Sequence, residues 1–266
     1  MDYMLNVKGQ LMDLSQPKVM GILNVTPDSF YSESRVQTER EIVVRAREFM
    51  NQGAAILDIG ACSTRPDSTL ASEENEIQRM RLGLQTLRRE LPQVVLSVDT
   101  FRPNVARMAV EEFGADIIND VSGGCEEMFR LVAKMGVPYV LTSTDGTLHD
   151  MLLTFAAKVQ QLRDLGQKDI ILDPGFGFGK TLEENYEVMR EMERLLVLDL
   201  PLLVGISRKS MIYRHLGFSP AESLNGTTVL NTISLMKGAS ILRVHDVREA
   251  VEAVRIVEKM KECSLR

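Results

Sequence analysis

Six polar side chains stand at the ends of short apolar runs in this sequence. Burying a carboxylate, amide or amine at the end of an apolar strand costs free energy unless a polar partner binds it there. A single such residue is usually part of a turn. Repeated after so many runs, the pattern indicates one polar pocket at one end of a barrel, as in an enzyme. The six residues are Asn24, Asp58, Asp99, Asn119, Asp173 and Lys209.

Three of these residues form the most informative set. Asp99, Asn119 and Asp173 offer two carboxylates and one amide to the same pocket floor. Carboxylates accept hydrogen bonds, and an amide both donates and accepts. The set therefore suits a heterocycle with a donor-rich, guanidine-like edge, such as a pterin. The alternative is that each residue caps a turn, which is reasonable for any one of them but not for all three together.

Groups suited to a diphosphate follow the first and last predicted strands. Asn24 opens the loop Asn24-Val-Thr-Pro-Asp-Ser-Phe30. One amide there could ligate a Mg²⁺ ion whose other ligands come from phosphate oxygens. Arg243 and His245 point the same way along a strand, so they predict a cationic pair at the usual phosphate position of a barrel. The alternatives without a ligand are a Pro-Asp turn in the loop after Asn24 and a purely structural role for His245.

Three more loops carry candidate substrate contacts. Lys209, in Ser207-Arg-Lys-Ser210, is placed to reach a ring carbonyl, although a basic pair on a loop is more often solvated surface. The segment Asp173–Thr181 resembles a phosphate-binding P-loop, but that motif requires glycine where Pro174 stands. We interpret it instead as a flexible loop with an aromatic wall for an aromatic substrate. The wall would be Phe176 or Phe178, and the loop after the second strand adds Ser63, Thr64 and Arg65.

The elements that position these residues alternate along the chain. Short β-branched runs alternate with segments of helical period, which indicates βα units and a parallel sheet. Because nearly every strand contributes a polar end, we predict a single-domain (β/α)₈ TIM barrel over residues 1–266, not an open sheet. The active site is then expected at the C-terminal ends of the strands. The predicted strands lie near 19–24, 55–59, 94–98, 116–119, 138–142, 169–173, 201–205 and 240–244. The predicted helices lie near 38–52, 72–90, 103–113, 126–135, 150–164, 183–195, 220–237 and 247–261.

Capping signals refine this outline. Ser72 precedes an acidic first turn, Pro103 suits the first position of a helix, and Ser219-Pro220-Ala-Glu222 is expected to open the helix near 220–237. Several helices should end on glycine, at Gly53, Gly114, Gly136, Gly166 and Gly238. Residues 1–18 precede the first barrel strand, and we expect them to form a hairpin that plugs the bottom of the barrel.

Composition narrows the classes of function. The net charge of −6 argues against general binding of nucleic acid or anionic lipid. Three widely spaced cysteines without a C-x-x-C pair argue against a disulfide framework or a zinc site and fit a reducing cytoplasm. The N-terminal segment has no signal-peptide pattern, and no apolar stretch approaches the length of a membrane span. We therefore expect a cytoplasmic protein with small-molecule substrates.

The ordered motifs resemble the dihydropteroate synthases, a family of pterin-binding barrels, over essentially the whole chain. The resemblance implies condensation of 6-hydroxymethyl-7,8-dihydropterin diphosphate with p-aminobenzoate, giving 7,8-dihydropteroate and diphosphate in folate biosynthesis. It also implies Mg²⁺ and a homodimer. The motifs that carry it are Met20–Phe30, Asp58-Ile-Gly60, Ser63-Thr-Arg-Pro66, Ser97-Val-Asp-Thr100, Ile118-Asn-Asp120, Asp173–Lys180, Gly205–Ser210 and Ile241–Asp246.

The resemblance also assigns roles to residues of this sequence. Asp99, Asp173 and Lys209 would be catalytic and, with Asn119 and Thr64, would hold the pterin. Arg243 and His245 would hold the diphosphate, and Asn24 would ligate its Mg²⁺. The p-aminobenzoate site would consist of Thr64, Pro66, Phe178, Lys209 and Ser210.

Some positions depart from the family pattern. Tyr31-Ser-Glu-Ser34 replaces Ser-Asp-Gly-Gly, Ala61-Cys62 replaces Gly-Glu, Asp67 stands where glycine is common, and Leu141-Thr-Ser-Thr144 stands where Met-His-Met is usual. Two alternatives to the synthase therefore stay open. One is a pterin-binding paralogue with weak or no synthase activity. The other is a methyltetrahydrofolate-type methyltransferase, which the anion-binding motifs disfavour because a methyl donor has no diphosphate to hold.

Overall fold

The computed structural model describes residues 3–25, 39–62 and 71–264. Within them, eight parallel strands close into a barrel with helices packed around it, so the predicted α/β barrel is confirmed. The strands are β1 (Met4–Val7), β2 (Gln10–Asp13), β3 (Lys18–Asn24), β4 (Ile56–Gly60), β5 (Val95–Asp99), β6 (Ile117–Asp120), β7 (Tyr139–Thr142), β8 (Ile170–Asp173), β9 (Leu202–Val204) and β10 (Ala239–Val244). The barrel runs in the order β10-β3-β4-β5-β6-β7-β8-β9, which is chain order with β10 closing onto β3.

The helices follow the strands as expected for βα units. They are α1 (Glu39–Gln52), α2 (Glu73–Glu90), α3 (Pro103–Phe113), α4 (Glu126–Met135), α5 (Leu148–Asp164), α6 (Leu182–Glu191), α7 (Ser210–Leu216), α8 (Leu224–Met236) and α9 (Val247–Ser264). The Ser72 side chain caps α2 by accepting from the Asn75 backbone N–H at 3.3 Å. Gly114 ends α3 with φ of 60°, a left-handed conformation that suits glycine. Among the described residues, no helix is both long and apolar enough to cross a membrane.

Two predicted helix boundaries are wrong. The helix near 183–195 ends at Glu191, where a 3₁₀ helix over Met192–Leu198 follows, and the helix near 220–237 begins late. Ser219 and Glu222 do form a capping box, but it closes a short 3₁₀ turn at Pro220–Glu222, and α8 begins only at Leu224. The cause is Arg208, whose Nη1 donates to the backbone carbonyls of Pro220 (3.0 Å) and Ala221 (2.5 Å). Those carbonyls therefore bind a side chain where a continuous helix would use them. The sequence prediction also lacked α7.

The barrel interior is filled from below by apolar side chains. β1 and β2 pair as an antiparallel hairpin, and its Leu5 and Val7 pack against the inward residues of the barrel strands. Two polar contacts tie the hairpin down: Asn6 N–H donates to Asp169 Oδ1 (3.1 Å), and Lys8 Nζ lies 3.1 Å from Asp116 Oδ1. The inward layer consists of Met20, Ile56, Ile117, Val140, Ile171, Leu203 and Ile241. Within the described residues, the lumen at the opposite end of the barrel is lined by polar side chains.

A second apolar core separates the strands from the surrounding helices. Phe49 of α1, Met80 of α2 and Phe155 of α5 are fully buried in it, together with outward residues of the strands such as Leu57 and Leu96. Apolar residues on both faces explain why the barrel strands read as continuous apolar runs in the sequence. Both cores pack against the barrel strands, and the candidate site is built on the ends of those strands.

Candidate active site

Beyond its apolar layer, the barrel lumen is lined by polar side chains. Because strand side chains alternate, a residue two positions after an inward apolar residue also faces inward. The strand pairing agrees, since Asp99 is paired with Asn119, and Thr142 with Asp173. The inward apolar residue and its polar successor are Ile56 and Asp58, Ile117 and Asn119, Ile171 and Asp173, and Ile241 and Arg243.

Arg243 stands at the centre of this polar layer. Its Nε donates to Asp58 Oδ2 at 2.6 Å, and its Nη2 donates to Asp99 Oδ2 at 2.5 Å. Asn119 Nδ2 donates to the same Asp58 oxygen at 3.1 Å. Four strands, β10, β4, β5 and β6, are thus joined by one hydrogen-bonded cluster. Nη1 of Arg243 takes no part in these bonds and is the donor suited to an incoming anion.

Burial sets the charge states of the carboxylates. Desolvation raises the pKa of Asp99 to about 7, although Arg243 pulls it down. Desolvation also raises the pKa of Asp173, against the attraction of Lys209. For Arg243, burial alone would lower the pKa, but Asp58 and Asp99 raise it above its ordinary value. Positive charge brought into this lumen therefore stabilises carboxylates that burial disfavours.

Lys209 lies against the loop between β8 and α6. Its Nζ donates to the backbone carbonyl of Phe176 and lies 4.4 Å from the centre of the Phe178 ring, within cation–π range. Desolvation lowers the pKa of Lys209 to about 8, with Asp173 opposing the shift. Phe176 is buried in the core, so Phe178 is the aromatic side chain on the pocket side. Ser210, the next residue along, begins α7.

Lys180 holds the same loop from beneath. Its Nζ donates to the carbonyls of Ser143 (3.1 Å), Gly175 (3.1 Å) and Phe178 (3.2 Å). Asn185 Oδ1 accepts from the Gly177 N–H at 2.7 Å. The ammonium therefore binds backbone carbonyls of its own loop and of the neighbouring one. In a P-loop, the lysine would instead bind phosphate, so these contacts of Lys180 agree with the prediction that the segment is not a P-loop.

The charge of His245 differs from the one predicted from the sequence. Its Nδ1 lies 3.1 Å from Ser207 Oγ, and that oxygen also accepts from the His245 N–H at 3.2 Å. Desolvation, with Arg243 and Arg208 nearby, lowers the pKa of His245 to about 3. The expected cationic pair of Arg243 and His245 is thus wrong: the imidazole is neutral at pH 7. A Ser207 hydroxyl that donates to Nδ1 would leave the ring proton on Nε2, where it could serve as a donor.

Arg208, the other basic residue of the predicted pair, binds within the fold and not in the lumen. Its Nε and Nη2 donate to the two carboxylate oxygens of Asp246 at 2.9 and 2.8 Å, and its side chain is buried. Arg208 has φ of 54°, a left-handed conformation that turns the chain between β9 and α7. Neighbouring basic residues thus have different environments: Arg208 faces the helices, and Lys209 faces the lumen.

Asn24 lies at the rim of the lumen, where a cation ligand was predicted. A β-carbon built on Gly60 would lie 3.2 Å from Asn24 Oδ1 and 3.8 Å from Asp99 Oδ2, so glycine keeps the space between these two oxygens open. In the described ranges, no group of three or more histidine, cysteine or acidic side chains forms a metal site. One amide oxygen beside a carboxylate suits a hard ion such as Mg²⁺ only when a bound phosphate supplies further oxygens.

The structure therefore brings together most of the predicted site residues. Asp99, Asn119 and Arg243 share one hydrogen-bonded cluster, and Asp173 interacts electrostatically with Lys209. Thr64 and Pro66 lie outside the described residues, as do Ser63, Arg65 and residues 26–38 after Val25. Asp58 had no role in the predicted ligand set, yet it joins Arg243 to Asn119. Its position at the end of a strand was the sequence signal that could have identified it. No sequence signal indicated the contacts that Lys180 and Ser207 make.

Comparison with known proteins decides the family. The chain matches the pterin binding enzyme family over residues 20–245. Dihydropteroate synthase from Escherichia coli (strain K12) is 39% identical over 267 residues, covering 94% of each chain. That of Bacillus subtilis (strain 168) is 38% identical over 252 residues, covering 91% of this chain and 88% of the relative. The chain belongs to the dihydropteroate synthases.

Solved structures of dihydropteroate synthases agree over the whole barrel. The Yersinia pestis enzyme, in complex with a sulfonamide drug, superimposes with a TM-score of 0.91 at 36% identity, covering 98% of this chain and all of the other. The Xanthomonas albilineans enzyme, with 4-aminobenzoic acid, gives a TM-score of 0.89 at 33% identity, covering 98% and 99%. The resemblance of the sequence motifs to this family is confirmed.

Proposed function

We propose that this dihydropteroate synthase catalyses the transferase reaction for which its family is named. It would condense 6-hydroxymethyl-7,8-dihydropterin diphosphate with p-aminobenzoate, giving 7,8-dihydropteroate and diphosphate for folate biosynthesis. The observation that carries the proposal is the buried cluster of Asp58, Asp99, Asn119 and Arg243, with Asp173 and Lys209 beside it. Such a cluster is costly in an empty barrel and is completed by a polar heterocycle.

The pterin would bind at the bottom of the lumen. Asp99, Asn119, Asp173 and Lys209 are assigned to it, together with Thr64 from the loop after β4. The buried Oδ1 atoms of Asp58 and Asn119 have no hydrogen-bond partner among the described residues. Two acceptors at this depth suit the 2-amino and N3–H donors of a pterin. We therefore add Asp58 to the pterin site.

The diphosphate would lie nearer the rim. Nη1 of Arg243 and the Nε2–H of His245 would donate to its oxygens, the first as a cation and the second as a neutral donor. A Mg²⁺ ion would be held by Asn24 and by the diphosphate itself. When bound, this ion would neutralise charge on the departing diphosphate. These roles need no cationic histidine.

The reaction needs little acid–base chemistry from the protein. The C–O bond between the pterin methylene and the diphosphate breaks, and the diphosphate leaves with the electron pair. The methylene carbon gains positive character, which the carboxylates of Asp99 and Asp173 would stabilise. The arylamine nitrogen attacks that carbon, forms the C–N bond and loses a proton. Lys209 would keep the ring carbonyl of the pterin oriented throughout.

The arylamine would enter beside the loop between β8 and α6. Phe178 and the stem of Lys209 would form one wall, and Ser210 at the start of α7 would meet the carboxylate. Thr64 and Pro66 would complete the site from the loop after β4. The relative from Xanthomonas albilineans was solved with 4-aminobenzoic acid, which supports this substrate for the present chain.

The setting of the reaction is also proposed. The chain would act as a single barrel domain over residues 1–266, with the N-terminal hairpin as its plug, in the reducing cytoplasm that the cysteine content suits. It would form a homodimer. Val229 and Met236, two turns apart on α8, are 51% and 62% exposed and would be covered in such a dimer. Light scattering of the purified protein tests the dimer directly.

The decisive experiment is an assay with both substrates and Mg²⁺ that follows diphosphate and dihydropteroate together. Equal amounts of both products are expected, with formation abolished by Asp173→Asn and by Arg243→Ala. Omission of Mg²⁺, with a chelator present, should slow diphosphate release. Pterin binding without dihydropteroate would identify a pterin-binding paralogue instead. Binding of methyltetrahydrofolate in preference to the dihydropterin would point to the methyltransferase alternative.

A further inference from the structure

The hydroxyl of Thr142 is a buried polar group that the proposed mechanism does not use. Thr142 is the last residue of β7 and is 1% exposed. Its Oγ1 has no hydrogen-bond partner among the described residues. Buried hydroxyls are normally hydrogen-bonded, so an unpaired one needs an explanation. Valine would fill the same volume without leaving a polar atom unpaired.

Strand geometry directs this side chain into the barrel lumen. Val140, two positions earlier on β7, packs in the inner apolar layer. Thr142 is paired in register with Asp173 of β8, itself two positions after the inward-facing Ile171. In-register neighbours on parallel strands face the same side. Thr142 therefore lies beside Asp173, on the wall of the proposed pterin site.

The neighbouring unpaired atoms define the chemistry that this hydroxyl adds. Asp58 Oδ1 and Asn119 Oδ1 are also buried without partners among the described residues, and both can only accept. A hydroxyl, in contrast, can donate. A pterin presents donors on its 2-amino and N3–H edge, next to acceptors on its ring nitrogens and carbonyl. A donor on β7 together with the two acceptors in the same lumen matches that combination.

We propose that the Thr142 hydroxyl is a direct contact of the heterocyclic substrate, donating to one of its ring acceptors. The inference rests on the proposed function and adds one specificity-determining residue to the same site. The family pattern at this point is Met-His-Met, whereas this chain reads Leu141-Thr-Ser-Thr144. The proposed contact is therefore specific to this sequence.

The test compares Thr142→Val, which removes only the hydroxyl, with Thr142→Ser, which keeps it. The probe is 6-hydroxymethyl-7,8-dihydropterin, titrated calorimetrically into each protein. Thr142→Val should raise the Kd about tenfold, the loss expected for one buried hydrogen bond. Thr142→Ser should stay within about twofold of the parent protein, because the donor is retained.

Thermal unfolding without ligand separates a binding role from a structural one. Thr142→Val should be at least as stable as the parent, because it removes an unpaired buried hydroxyl. A lower unfolding midpoint for Thr142→Val would mean that the hydroxyl stabilises the fold, and the inference would be overturned. Equal pterin affinity for Thr142→Val and the parent would overturn it as well, as would an equal loss in both variants. If the parent protein itself binds no pterin, the proposed function fails along with it.

Discussion

At Lys209, burial and a neighbouring carboxylate act on the charge in opposite directions. Its ammonium is held by the Phe176 carbonyl and the Phe178 ring, and desolvation lowers its pKa to about 8. Asp173 opposes that shift by favouring the charged form. The free protein thus carries a lysine that loses its proton only slightly above neutral pH. Its charge would be needed where the proposed mechanism places it against the ring carbonyl of the substrate.

This balance predicts a pH dependence of catalysis. The ammonium form predominates below pH 8 and is lost above it, so kcat/KM for the pterin diphosphate should fall as the pH rises past about 8. Lys209→Arg should retain some activity without this alkaline fall, because arginine stays charged throughout. Steady-state rates between pH 6 and about 10 provide the measurement. An unchanged alkaline limb in Lys209→Arg would assign the titration to another group.

A second residue-scale prediction concerns Asp99. Asp99→Asn keeps the shape of the side chain but removes the charge that would stabilise a cation-like methylene. We expect kcat to fall about 10²–10³-fold, the usual cost of losing one electrostatic contact in the transition state. Asp164→Asn, on the exposed end of α5, is the matched control and should leave kcat unchanged. Full activity of Asp99→Asn would remove Asp99 from the mechanism.

At the scale of elements, the loop between β8 and α6 depends on backbone conformations that few residues accept. Gly175, Gly177 and Gly179 all have positive φ, and a β-carbon on Gly175 would lie 1.9 Å from the Ser143 carbonyl oxygen. Lys180 then fixes the loop by donating to three carbonyls. These bonds anchor the base of the loop, next to the contact between Phe178 and Lys209.

We therefore expect Lys180 to act as a positioning residue for the arylamine site. Lys180→Met should raise KM for p-aminobenzoate about tenfold or more, because small misplacements of binding groups are costly. The affinity for the pterin should change less, since Asp58, Asp99 and Asn119 lie on β4, β5 and β6, away from this loop. Lys180→Arg should rescue part of the loss, and Lys168→Met, at an exposed position, is the control. Equal losses for both substrates would indicate general disruption of the barrel end.

At the scale of the whole molecule, the two ends of the barrel have opposite characters. The N-terminal hairpin closes one end with apolar side chains, and Leu5 is only 2% exposed within that plug. The other end holds the charged cluster around Arg243. Because the plug and the site lie at opposite ends of the same strands, stability and catalysis can be changed separately.

This separation predicts the effect of a cavity in the plug. Leu5→Ala should lower the free energy of unfolding by about 2–5 kcal/mol, the range for truncating a buried leucine. Leu11→Ala, on the same hairpin but 73% exposed, should change it by no more than about 0.5 kcal/mol. Urea unfolding measures both variants, and KM values of the folded Leu5→Ala protein should match the parent. A neutral Leu5→Ala would mean that the barrel is closed without the hairpin.

Much of the fold was predictable because it follows from local periodicity. The barrel strands were predicted to within a few residues, since apolar runs bounded by glycine and polar residues are strong local signals. The helix near 220–237 was misjudged because its start depends on Arg208, which binds carbonyls at 220 and 221 from another part of the chain. Ser219 does begin a helical turn, as its sequence context predicted. A tertiary contact then decided what it capped.

The sequence by itself determined which residues face the lumen, since alternation along each strand places Asp58, Asn119, Asp173 and Arg243 there. It also determined the family, through motifs in a fixed order. Only the tertiary structure decided the partners, because Arg243 and Asp58 are 185 residues apart and meet when β10 closes onto β3. The charge states came with those partners. A neutral His245 and a pKa of about 7 for Asp99 follow from burial, which exists only once the barrel has closed.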